Sequence, residues 1–82
     1  MGKKEKLTAK LLNRRATFTW QDLVSLLNIL GYTQLEGSGS RVKFIHTDPP
    51  VLISLHRPHP GNNLKQYAKR QLIEALQAGG HI

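Results

Sequence analysis

The chain has 82 residues, with 12 Lys and Arg against 5 Asp and Glu, a formal charge of +7 and an isoelectric point near 10.3. A chain this short buries only about 60% of the surface its unfolded form exposes, which argues against a two-domain enzyme or a large enclosed metabolite pocket and places function on the surface. The basic balance points to a polyanion, nucleic acid first, and the absence of cysteine excludes disulfide staples, thiolate catalysis and cysteine zinc sites.

The charge is uneven. Residues 1–15 hold six basic residues against Glu5 alone, and residues 16–82 hold six basic and four acidic ones. Residues 1–17 therefore read as a basic extension, with residues 18–82 as the domain. Leu7, Leu11 and Leu12 give the extension some helical spacing, which does not decide whether it docks. No apolar segment follows the basic N-terminus as a signal peptide requires. The longest near-apolar run, residues 23–30, is far below the ~20 residues of a membrane span. A cytoplasmic protein without membrane contact is expected.

The first firm element starts at Thr19, a good N-cap with Asp22 in the following turn. Phe18 is placed to staple against Leu23. Trp20, Leu23, Val24, Leu27 and Leu30 form one apolar stripe, and Gly31 closes the helix. Residues 32–36 read as a short strand, and residues 37–40, Gly-Ser-Gly-Ser, as a turn. Residues 41–46 alternate, with Val42 and Phe44 on one face and Arg41 and Lys43 on the other. Residues 47–50 break that strand. Residues 51–56 form a third, with Val51, Ile53 and Leu55 opposite Ser54 and His56. After a proline-stiffened loop, a second helix is predicted over residues 64–78, capped by Asn63. Its stripe is Leu64, Ala68, Leu72, Ala75 and Leu76, with Lys65, Lys69 and Arg70 off it. The expected fold is a single small α+β domain: helix, three antiparallel strands, helix, with both helices on one face of the sheet.

Residues 56–60, His-Arg-Pro-His-Pro, place two imidazoles and a guanidinium on a stiff segment. Imidazole titrates near pH 6.5 and serves as base or acid, and arginine holds a phosphate through paired hydrogen bonds. These are parts for cleaving an RNA phosphodiester without a metal or a small-molecule cofactor. The same segment also reads as a plain proline turn whose histidines cap backbone groups. Two histidines without a nearby carboxylate are too few for a metal site. Gly39, Ser40 and Arg41 fit a phosphate-binding backbone turn and equally a simple hairpin. Trp20, Tyr32 and Tyr67 read as core rather than as base-stacking platforms. His46 reads as a solvated strand end, and His81 as an idle tail residue.

The helix ending in Gly31-Tyr32, the Gly39-Ser40-Arg41-Val42-Lys43-Phe44 strand entry, the Leu55-His56-Arg57-Pro58-His59-Pro60 strand end and the final helix around Leu72 together resemble the HicA toxins. The resemblance covers residues 18–80. It implies a double-stranded-RNA-binding-domain-like fold, metal-independent cleavage of mRNA, and neutralisation by a HicB-like antitoxin protein. Arg41 stands where that family carries its catalytic histidine, and a guanidinium does not serve as a base. The resemblance then implies His56 and His59 as titrating groups, with Arg41 on the scissile phosphate. Gly39, Ser40, Lys43, Arg57, Lys65, Lys69 and Arg70 are expected to hold RNA. A non-catalytic RNA-binding module is the alternative, and a ribosomal or nucleoid accessory protein a third class.

Overall fold

A computed structural model describes residues 2–37, 39–48, 50–58 and 61–82. In chain order these form α1 (Lys3–Leu12), α2 (Trp20–Ile29), β1 (Thr33–Glu36), β2 (Arg41–Thr47), β3 (Pro50–His56) and α3 (Gln66–Ala78). The strands make one antiparallel sheet in the order β1-β2-β3. The expected α+β architecture is present, with α1 added in front of it.

α2 starts where its sequence says. The Thr19 hydroxyl accepts from the Asp22 amide, and the Asp22 carboxylate accepts from the Thr19 amide, both at 3.1 Å. This reciprocal cap satisfies two of the donors that a helix start leaves open. Phe18, Leu23, Leu26 and Leu27 are buried. Gly31, at φ +92°, takes the left-handed conformation that lets the Tyr32 amide return to the Leu27 carbonyl at 2.9 Å.

Alternation on the sheet does the rest of the sorting. Val42 and Phe44 on β2 and Ile53 and Leu55 on β3 are buried on the helix side. Arg41, Lys43, Ser54 and His56 stay exposed on the other. Phe44 pairs with Ile53 and Val42 with Leu55, so cross-strand neighbours build the floor of the core. Leu72 and Leu76 of α3 close over that floor with α2. Full burial of each such side chain is worth about 1.5–3 kcal/mol.

The N-terminal segment docks. Leu7 and Leu11 of α1 are buried in the same core, and α1 packs against α2 and α3. Lys10 forms an ion pair with Asp22 at 2.7 Å. Lys69 of α3 is only 3% exposed; its ammonium donates to the Asn13 carbonyl at 2.9 Å and the Ala16 carbonyl at 3.0 Å. Gln66 adds a bond to the Arg14 carbonyl at 2.9 Å. Segment 13–16 is thus clamped to α3.

Two local expectations are corrected. α3 begins at Gln66, with Lys65 at its N-cap, rather than at residue 64 under an Asn63 cap. The reason is a backbone bridge between Thr19 and Asn63. Trp20 donates to the Asn62 carbonyl, and Leu64 to the Phe18 carbonyl, so residues 62–64 are held by the approach to α2. His46, expected as a solvated strand end, and His81, expected in a tail, are both half-buried and pack together. Their rings lie 4.7 Å apart and both contact Tyr32, at 5.0 and 5.4 Å. Burial and the nearby charges of His46 and Lys4 hold the His81 imidazole below its ordinary pKa, and burial pushes the Tyr32 phenol up.

Candidate nucleic-acid interface

The ends of β2 and β3 meet at the start of α3. Arg41 and His56 are direct cross-strand partners, and both are exposed on the face away from the helices. The turn before β2 is closed by the Gly37 amide on the Arg41 carbonyl at 2.8 Å, and by the Arg57 amide on the Ser40 carbonyl at 2.8 Å. Gly39 adopts φ +65° there, a conformation that glycine takes without steric cost. This geometry brings the Ser40 hydroxyl to 3.3 Å from Nδ1 of His56. Nε2 is then the ring nitrogen left to exchange a proton with a bound molecule.

Beside this pair lies a cleft of about 300 Å³, lined among others by Ser40, His56, Arg57, Lys65 and Tyr67. One wall is the first turn of α3. Its leading amides have no intrahelical acceptor, its first turn holds no acidic residue, and Lys65 makes no side-chain cap. The helix end therefore adds positive potential to the cleft. The result is a notch carrying an imidazole, a hydroxyl, a lysine and a helix N-terminus.

The structure does not gather all the expected site residues in one place. Ser40, Arg41, His56 and Lys65 gather at or beside the cleft, and Lys43 follows Arg41 on the open sheet face, paired with Ser54. Arg57 does not join Arg41 and Lys43 on their face. Alternation past the end of β3 turns its side chain to the opposite side. There its guanidinium pairs with Glu36 at 3.0 Å and stacks over the Trp20 ring at 5.7 Å. It lines the cleft with its charge already partnered. Lys69 is corrected outright: it is buried and bonded to two carbonyls, so it is a structural clamp and not a surface cation. Arg70 is exposed on the other flank of α3, in a separate cleft with Arg14. His59 lies outside the described residues.

Tyr67, expected in the core, is corrected to a surface residue. It is 68% exposed and lines the His56 cleft, offering a ring and a hydroxyl. The signal was available, because position 67 falls off the Leu64, Ala68, Leu72 stripe.

Among the described residues, no three His, Asp or Glu side chains cluster as metal ligands, and no helix is long and apolar enough to cross a membrane.

A small α+β domain with a basic sheet face and a histidine-bearing cleft defines the class. A family model described as the HicA toxin of bacterial toxin-antitoxin matches residues 20–79. The chain belongs to the HicA toxin family. It is a toxin of a toxin–antitoxin system, and its partner there is an antitoxin. The searches of curated proteins and of solved structures found no match. α1 precedes the matched stretch.

Proposed function

We propose that this toxin is an endoribonuclease that cuts mRNA and is neutralised by a HicB-like antitoxin. The observation that carries this reading is His56. It is exposed at a strand end, oriented through Nδ1 by Ser40, paired across the strands with Arg41, and set in a cleft with Lys65 and the N-terminus of α3. His56 Nε2 takes the proton from an RNA 2′-hydroxyl. The 2′ oxygen attacks the adjacent phosphorus and the bond to the 5′ oxygen breaks. The products are a 2′,3′-cyclic phosphate and a 5′-hydroxyl. The proton that the departing 5′ oxygen needs comes from a second group, with His59 the candidate from sequence and Tyr67 the candidate in the cleft. Arg41, Lys65 and the α3 amides bind the charge that builds on the phosphoryl oxygens.

The test is cleavage of a long single-stranded RNA by the purified toxin in EDTA, compared with His56→Ala. Cyclic phosphate ends that disappear in the variant, with RNA binding kept, support the reading. No cleavage at protein excess over RNA overturns it. The second reading is RNA binding without cleavage, and Arg41 favours it, because it occupies the position that the family resemblance assigns to a histidine. The same assay decides between the two.

A further inference from the structure

α1 and α3 enclose a second cleft, of about 250 Å³, on the side of α3 away from His56. Its floor is Leu11, Leu12 and Ile73, and its cationic rim is Arg14 and Arg70. Neither arginine forms an ion pair among the described residues, in contrast to Lys10 and Arg57. Arg14 is not left on a loose tail. The Lys69 ammonium holds the carbonyls on either side of it, at Asn13 and Ala16, and Gln66 holds its own. Leu12, half exposed, offers an apolar surface beside the two guanidinium groups.

From this geometry we infer that the Arg14–Arg70 cleft is a second RNA subsite, which takes a phosphate and the base next to it on a strand already seated at His56. The inference rests on the RNA reading above and adds a binding element to which Leu12 and Arg14, outside the family-matched stretch, contribute. Two planar guanidinium forks suit phosphate oxygens, and a shelf of Leu12 and Ile73 suits the flat face of a base. The first turns of α3 connect the two places. Lys65 and Tyr67 line the His56 cleft, while Gln66 and Arg70 line this one. A strand that leaves the first cleft has only the width of one helix, about 10–12 Å, to cross before it meets the second pair of cations. An acidic segment of a protein partner would meet the same cations. The continuity with the His56 cleft is what favours RNA.

The experiment measures binding, not cleavage, of a dinucleotide and of a longer single-stranded RNA as a function of salt. The proteins are the unaltered chain, Arg14→Gln/Arg70→Gln, and Arg14→Lys. The double variant is expected to bind the longer strand roughly tenfold more weakly at low salt. Its slope of log affinity against log salt should be shallower by about 0.7, for the one phosphate held there. Dinucleotide binding should be unchanged, and Arg14→Lys should keep the slope. Unchanged melting of the double variant serves as the folding control. If the unaltered chain binds neither RNA, the RNA reading fails and takes this inference with it. If it binds both and the double variant matches it, this inference alone is overturned. Unchanged RNA binding with weakened antitoxin binding also overturns it, and assigns the cleft to the protein partner.

Discussion

The Lys69 ammonium sits 2.9 Å from the Asn13 carbonyl, across 56 positions of sequence. A lysine this deeply buried is tolerated because two carbonyl oxygens replace its water. Lys69→Met keeps the apolar stem and removes those bonds. A loss of about 1.5–3 kcal/mol is expected, read as a lower melting temperature by roughly 4–8 °C per kcal/mol. Arg70→Gln, one position on and exposed, should melt within about 0.5 kcal/mol of the unaltered chain. Equal melting of the two variants would contradict the clamp.

Loss of the His56 imidazole should remove RNA cleavage without touching the fold. His56→Ala is expected to lower the rate by about 10²–10⁴ and to leave the melting temperature in place, since the side chain is exposed. Ser40→Ala removes only the hydroxyl that orients Nδ1. It should cost less, and its defect should lie in the rate rather than in RNA affinity. Single-turnover kinetics at saturating protein separate the two.

Glu36 holds a cation that RNA could use. The Glu36–Arg57 pair is exposed, so its contribution to stability is at most about 1 kcal/mol. Glu36→Gln should barely move the melting temperature. It frees Arg57 beside the cleft and removes a negative charge, so RNA affinity at low salt should rise. Fluorescence anisotropy measures this, and unchanged or weaker binding would show that Arg57 does not reach the strand.

The Lys10–Asp22 pair couples α1 to the cap of α2, and it gives the fold an acid-sensitive seam. Burial works to raise the Asp22 carboxyl. The bond from Lys10, the contacts with the Thr19 backbone and side chain, and the Lys10 charge outweigh it, so the pKa lies below its ordinary value. A depressed native value means that the unfolded chain binds the proton first. The stabilisation is full above the unfolded value of about 3.9 and is lost as pH falls through the native one. Asp22→Asn should lower stability at pH 7 and flatten its decline below about pH 4. Urea midpoints across that range test it.

The Tyr32 hydroxyl is buried, and no partner for it is present among the described residues. Its raised pKa has the opposite sense to that of Asp22. Stability from this group is full below an unfolded value of about 10 and falls as pH rises through the native one. Tyr32→Phe removes both the desolvated hydroxyl and the alkaline sensitivity. A gain of up to about 1 kcal/mol at pH 7 is expected, with a flatter profile above pH 10. A marked loss instead would show that the hydroxyl has a hydrogen-bond partner.

What could be read from the sequence was local. The Thr19–Asp22 start of α2, the Gly31 stop and the alternation of β2 and β3 depend on near neighbours, and all appear in the structure. Sites decided by distant segments were harder to read. Lys69 stands at i, i+3, i+7 with Leu72 and Leu76, the spacing of a buried face, but a lysine argues for solvent until the carbonyls of Asn13 and Ala16 are seen above it. Arg57 shares a pentapeptide with His56, yet one further step of strand alternation sends it to Glu36 and Trp20. The docking of α1 turned on Asp22 and Lys69, which its own three leucines do not reveal.

The clamp across segment 13–16 also sets a timetable for making the protein. α1 is made before α3, and the lysine that fixes the segment behind it is synthesised 56 residues after Asn13. At about 5–20 residues per second, that is a wait of roughly 3–11 s. During this interval Leu7 and Leu11 have neither the α3 surface nor its anchor. The core that Leu7 and Leu11 share with Leu72 and Leu76 cannot close until α3 has been made.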